Sequence, residues 1–486
     1  MNRKVQKIVA CMMSLVVLVL LRPQRAYALD YEVPVNRQVE VDGVNVGQVM
    51  TLNYYYDHNI YISLKGLQYA LYQSPKAFTL SLYDGEIHIT KGQGEYVAPL
   101  LFTEEELNSP LRIDVGRHKI FVGEEEKKYY TVKKGLSDGS VDYFLSLIDA
   151  AMIFDLAIDV ENEVIKIDTT RGFTVTPEDI IASGYLQGVN GLCVGDVSTG
   201  DIYLAYEEEY SVPIASTSKL MTYYLVMEAV REGEIALTDM VTITKEAETM
   251  SKSVDGVIVM QEGMQVSVSE LITGALLPSS NECAYSLATY VAGSEEAFVE
   301  RMNAKCAEFG LSSAIFYNSH GLPLYTEQCI PGKVQNHMSA KDMFTFVGHL
   351  LQDFPQVLDI TSIRETWLPA LGTQVRNTNI LIYNIPEVKG LKTGTTNKAG
   401  ACLVTAIPVE YEGNVHNLVV VLLGAETNID RETISELCAR CALQVLRAGG
   451  STGEIREPEE EGIPDNPELV MQKLLRVALQ EEQSIE

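Results

Sequence analysis

Tryptophan occurs once in 486 residues, and basic side chains are scarce, with 37 Lys and Arg against 66 Asp and Glu. The formal charge of −29 leaves no basic stripe to track phosphates, which argues against a nucleic-acid partner. A disulfide framework is missing as well. Of eight cysteines, Cys11 falls in the N-terminal leader, and Cys193, Cys283, Cys306, Cys329, Cys402, Cys438 and Cys441 remain, odd in number and irregularly spaced. "CARC" (438–441) has a C-x-x-C spacing inside an apolar helical pattern and reads as core packing. His58, His88 and His118 lack ligand spacing, so neither a metal nor any other cofactor is expected.

The apolar run "IVACMMSLVVLVLL" (8–21) is fourteen residues, short of a comfortable membrane span. Arg3, Lys4 and Lys7 precede it and "AYA" (26–28) follows. Residues 1–28 therefore read as a secretory signal cleaved near Ala28, with an uncleaved anchor as the rival. Cleavage removes five basic and no acidic residues and takes the formal charge to −34. The expected location is extracellular, in the cell wall or on the outer face of the cytoplasmic membrane.

Residues 30–170 contain a weak internal repeat. "YISLKGLQYALYQSPKAFTLSLYDGEIHITKG" (61–92) and "YFLSLIDAAMIFDLAIDVENEVIKIDT" (143–169) share an order of short helix, strand, turn and strand, with turns at Asp84-Gly85 and Glu161-Asn162. "TPEDIIASGYLQG" (176–188) reads as a join. Beyond it, 191–206 and 400–426 predict hairpins, 216–350 is dominated by helical patterns, and 431–449 predicts a closing helix. Residues 450–486 form an acidic, proline-punctuated linker and an amphipathic stretch at 469–480, suited to weak membrane-surface contact or to docking on protein.

The chemistry gathers in three motifs. Ser216-x-x-Lys219 opens a helical pattern, so the two side chains share one face. Ser279-Ser280-Asn281 stands where a loop enters a helix, and Lys392-Thr393-Gly394 precedes a strand. A K-T-G triplet alone is expected about 0.1 times in such a chain. A serine hydroxyl needs a base in reach, and Lys219 serves if burial and a second cation, Lys392, lower its pKa. Ser279 is placed to relay a proton to a leaving amine, and Asn281 to hold Lys219 and a substrate amide. Lys392 and Thr393 suit a carboxylate, and Gly394 lets a substrate backbone approach.

On "ASTSKLMT", "LLPSSNECA", "FYNSHGL", "NHMSAKDM" and "GLKTGTTNKAG", residues from about 190 to 449 resemble the serine-type D-alanyl-D-alanine carboxypeptidases, the low-molecular-mass penicillin-binding proteins. The resemblance implies an α+β multidomain chain. Its catalytic domain, 185–449, would have the penicillin-recognising fold, shared by serine β-lactamases and DD-peptidases, with an antiparallel sheet flanked by helices. A small α+β module at 30–170, similar to the N-terminal domain of copper amine oxidases, would precede it. The implied substrate is a peptidoglycan stem peptide ending in D-Ala-D-Ala, cleaved through an acyl-Ser216 intermediate, with β-lactam antibiotics as covalent inhibitors. The implied oxyanion hole is the backbone N–H groups of Ser216 and Thr395, and Arg431 would assist in binding the terminal carboxylate. His320 and His337 read as structural or rim residues. The middle motif is S-S-N where S-G-N is usual, and "PLYTEQCIPGKVQ" (323–335) departs from the family's short acidic loop. A D,D-endopeptidase carries the same motifs. A class A β-lactamase needs an E-x-x-x-N stretch that the sequence between Asn281 and Lys392 lacks. A silent wall-binding protein is the rival from another class.

Overall fold

The structure, a computed structural model, describes residues 33–449 apart from 54–58, 84, 93, 109–110, 112, 137–138 and 326–332. The leader, the segment 450–486, His58, Asp84, Cys329 and most of the 323–335 departure lie outside the described residues. The described residues form two compact units: 33–124 with 129–173, and 125–128 with 174–449.

In the first unit both copies of the repeat start on a serine that caps its helix. Ser63 Oγ accepts from Gly66 N–H ahead of helix Leu64–Leu71, and Ser146 Oγ accepts from Asp149 N–H ahead of helix Leu147–Phe154. Each helix leads into an antiparallel hairpin, Phe78–Tyr83 with Glu86–Lys91 and Ala157–Glu161 with Val164–Asp168. The copies then diverge. The second hairpin joins an eight-stranded sheet through a parallel pairing with Val33–Val41, while the first forms a separate sheet with Lys119–Val122. His88 lies stacked between Tyr83 and Phe121, and His118 Nδ1 is 2.6 Å from Thr131 Oγ1.

The second unit is built on a five-stranded antiparallel sheet. Its strands are β1 (Gly191–Asp196), β2 (Asp201–Tyr206), β3 (Gly390–Thr396), β4 (Gly400–Tyr411) and β5 (Asn414–Ala425), in the order β2-β1-β5-β4-β3. The first and last parts of the unit meet at its centre, where Gly191–Asp196 pairs with Leu418–Leu423. Every residue from Leu418 to Ala425 is buried, the pattern of a strand covered on both faces. Four helices position the rest: α1 (Lys219–Glu232), α2 (Asn281–Ala292), α3 (Ala340–Asp353) and α4 (Asn428–Arg447). Helix α1 is buried nearly all round. Tyr224 on it meets Phe309 and Phe354 edge to face at 5.4 and 5.0 Å, and Gly233 ends it in the left-handed conformation. The join reads differently in space. Residues 177–182 form a short helix behind a Thr176–Asp179 capping box, and Val175 N–H donates to Gln444 on α4, so this stretch belongs to the second unit. The six described cysteines are free and buried, Cys438 and Cys441 within α4.

Candidate active site

Ser216 lies in a single 3-10 turn, Ala215–Ser218, that runs directly into α1. Ala215, immediately before it, holds a left-handed φ of 46°, a strained conformation for a residue with a Cβ. The turn is clamped by its neighbours. A Cβ on Gly394 would come to 2.9 Å from the Ser216 nitrogen, and one on Gly321 to 2.0 Å from the Ala215 oxygen. Two glycines thus let β3 and the Asn318–Leu322 turn close on the backbone of the serine.

Lys219 is 1 % exposed, and its Nζ has three partners: Ser216 Oγ at 2.9 Å, Asn281 Oδ1 at 2.7 Å and the His320 carbonyl at 2.7 Å. Asn281 Nδ2 donates to the Asp255 carbonyl at 3.0 Å, which fixes the amide with its oxygen toward the lysine. Two of the three partners therefore only accept. A neutral amine has two N–H groups and one lone pair. With the N–H groups given to Asn281 and His320, the lone pair is left for the one partner with a proton to give, Ser216.

Burial pulls Lys219 down to about 7, against an opposing pull from Glu282 and Cys283. The sequence reading looked to Lys392 as a second cause of this shift, but desolvation is the cause that lowers Lys219. The repulsion between the two ammonium groups falls on Lys392, which is fully buried. It is held well below its ordinary value by burial first, then by the charges of Lys219 and Arg431. Lys392 Nζ donates to the Thr393 carbonyl at 2.9 Å.

Ser280 is fully buried and caps α2, its Oγ accepting from Cys283 N–H at 3.1 Å, so the unusual spacer has a job in the fold. Ser279 precedes it with a left-handed φ of 70°. It is half-buried, and its hydroxyl has no partner among the described residues. Thr393 Oγ1 shares a hydrogen bond of 2.6 Å with Thr378. Thr395 is exposed at the end of β3, and Arg431, in the first turn of α4, donates to its hydroxyl at 3.2 Å. Arg431 is buried and also paired with Glu432 at 3.1 Å, so part of its charge is met within the protein.

The structure brings Ser216, Lys219 and Asn281 into one hydrogen-bonded cluster, sets Gly394 against the serine, and links Thr395 to Arg431. It also shows supports that the sequence reading did not assign. Asn336 Nδ2 donates to Ser218 Oγ and the Asn318 carbonyl, and its Oδ1 accepts from Tyr317 N–H. Asn318 Oδ1 accepts from His320 and Gly321 N–H, shaping the turn whose carbonyl receives Lys219. His320 is buried and held low, to about 3, by burial and by Lys219. Its Nδ1 accepts from Leu322 N–H, so the ring is neutral with its proton on Nε2. The stretches "FYNSHGL" and "NHMSAKDM" contain these asparagines, without anything to say that they are buried or what they bond.

A serine paired with a buried lysine one turn along, an asparagine locked onto that lysine, and a Lys-Thr-Gly strand beside them define an acyl-serine enzyme site. Residues 189–427 match a family profile described as D-alanyl-D-alanine carboxypeptidase. It is 34 % identical over 244 residues to D-alanyl-D-alanine carboxypeptidase DacC of Escherichia coli, covering 50 % of this chain and 58 % of that one. It is 31 % identical over 264 residues to DacA of Haemophilus influenzae, covering 54 % and 62 %. The chain thus spans about three fifths of the length of these curated relatives. Among solved structures, penicillin binding protein 5 from Haemophilus influenzae aligns with a TM-score of 0.48 at 29 % identity, over 53 % of this chain and 71 % of that one.

Proposed function

We propose that the chain is a serine D,D-carboxypeptidase that trims peptidoglycan stem peptides ending in D-Ala-D-Ala. The observation that carries this reading is the bonding of Lys219, whose two pure acceptors leave its lone pair for Ser216. With a pKa near 7, the amine is neutral in a large fraction of molecules at neutral pH. It takes the Ser216 proton as Oγ attacks the penultimate D-alanine carbonyl. The negative charge on that oxygen falls to the N–H groups of Ser216 and Thr395, in the place that the close approach of Gly394 creates. Collapse breaks the amide bond. The leaving nitrogen takes a proton from the Lys219–Ser279 side, and free D-alanine departs. Water then attacks the acyl-serine and restores the hydroxyl. Thr393 and Thr395 supply hydroxyls, Lys392 N–H donors and Arg431 positive charge, which suit the terminal carboxylate.

A β-lactam presents a strained amide and a carboxylate to the same groups, so the reading includes covalent labelling of Ser216 by penicillin. The basic and apolar leader supports export, with cleavage near Ala28 and action at the wall. Intact mass spectrometry after penicillin, followed over time, tests this proposal. A lasting adduct lost in Ser216→Ala, with D-alanine released from a D-Ala-D-Ala peptide, is expected. Rapid adduct loss would assign a β-lactamase instead, and no adduct would leave a silent fold.

A further inference from the structure

The first unit holds a cavity of about 570 Å³, within the range of small-molecule sites. Leu80, Leu82, Val97 and Val141 line it as an apolar wall. Gln68, on helix Leu64–Leu71, also lines it and is only 3 % exposed, yet its carboxamide makes no hydrogen bond among the described residues. With no protein partner among the described residues, that carboxamide presents a donor and an acceptor to the cavity. Beside it Tyr96 is 61 % exposed. Its ring is braced from behind, edge to face, by Tyr72 at 5.3 Å and Tyr69 at 6.4 Å. The ionic lining is one ammonium, Lys65, bonded to Ser140 at 3.3 Å, and one carboxylate, Glu95, so the cavity favours a neutral ligand.

We propose that this cavity binds an N-acetylated amino sugar, with the acetamido group paired to the Gln68 carboxamide and the sugar ring lying on Tyr96. A carboxamide offers a donor and an acceptor side by side, and a secondary amide is its complement. The acetyl methyl falls against the leucine and valine wall, and the C–H face of a pyranose suits an exposed, braced aromatic ring. A bare peptide supplies the amide but not the flat saturated ring. The proposal stands apart from the chemistry at Ser216, and failure of penicillin labelling would leave it untouched.

The test is calorimetric titration of the full chain with a trimer of β-linked N-acetylglucosamine, and with cellotriose, which carries hydroxyls where the first sugar has acetamido groups. Saturable binding of the acetylated trimer at micromolar to millimolar concentration is expected, with none by cellotriose. Gln68→Leu should weaken it at least about tenfold, and so should Tyr96→Ala, which alters an exposed side chain and keeps the test open if the first variant fails to fold. Both variants should still melt cooperatively and label with penicillin as the unaltered chain does. Equal affinity in either folded variant, equal binding of cellotriose, displacement by an alanyl peptide alone, or no binding at all would overturn the proposal.

Discussion

Gly394 and Ser216 approach so closely that a methyl group on the glycine would sit 2.9 Å from the serine's backbone nitrogen, with Ala215 Cβ and the Ile214 oxygen each at 3.1 Å. These neighbours are main chain or rooted in it, so none can swing aside. Gly394→Ala therefore has to push β3 away from the serine, displacing both proposed oxyanion donors together. We expect penicillin acylation and D-alanine release to fall by about 10²-fold or more, the scale of losing a positioned donor. Gly135→Ala, at an ordinary φ with nothing within 4 Å of its new methyl, should leave acylation unchanged. Stopped-flow acylation rates on the two variants check this.

The acylation rate should rise with pH through about 7 as Lys219 gives up its proton. Below that point the amine is an ammonium with no lone pair, and the rate should fall tenfold for each further pH unit. Lys219→Arg keeps the charge and never deprotonates at these pH values, so its acylation should be negligible across the whole profile. A profile of acylation rate against pH that is flat from 5 to 9 would contradict this.

Glu282 adjusts that midpoint. It is fully buried next to Asn281, with Oε1 accepting from the Val257 and Ile258 N–H groups and Oε2 unpartnered. Its negative charge favours the ammonium form of Lys219, and so opposes the effect of burial. Glu282→Gln preserves the shape and an acceptor for the backbone but removes the charge. The acid limb of the acylation profile should therefore move to lower pH, with the variant faster than the parent at pH 5.5. The other groups around the lysine, namely Cys283, His320, Ser216 and Lys392, are unaltered. An unmoved limb would mean that Glu282 only holds the 252–260 segment.

Ser280 should matter to stability more than to rate. Ser280→Ala removes the cap from α2 in a buried setting and should cost about 1–2 kcal/mol in denaturant unfolding. Acylation of the folded fraction should change by less than about threefold, since neither Ser279 nor Asn281 is replaced.

The local parts of the site were legible because they are short-range. Ser216 and Lys219 are three residues apart, and the hydroxyl–amine hydrogen bond follows from that spacing once a helical turn forms. The hairpins at 191–206 and 400–426 were legible from alternation and turn residues, and the antiparallel sheet flanked by helices is the fold class the motifs implied. What failed to show was long-range. Nothing near Asn336 says that it bonds Ser218, 118 residues earlier, nor that Asn281 meets the Asp255 carbonyl. Burial of Lys219 is a property of the whole packed unit, which is why the sequence named burial and a neighbouring cation together without showing that desolvation alone lowers it. The Arg431–Glu432 pairing was in plain view, yet adjacent residues on a helix do not ordinarily face each other.

The strand order has a consequence for how an active molecule comes into being. β5 lies between β1 and β4 but is the last of the five strands in the chain. A polypeptide emerging N-terminus first can fold its β1–β2 hairpin early. It has nothing to lay β1 against until residue 425 is available, more than two hundred residues later. Until then the β3–β4 hairpin is not tied to β1, and β3 is not held in the finished sheet against the stretch carrying Ser216. Reactivity thus switches on only when synthesis of this unit is nearly complete, and a chain cut short anywhere before β5 would be inert toward its own surroundings.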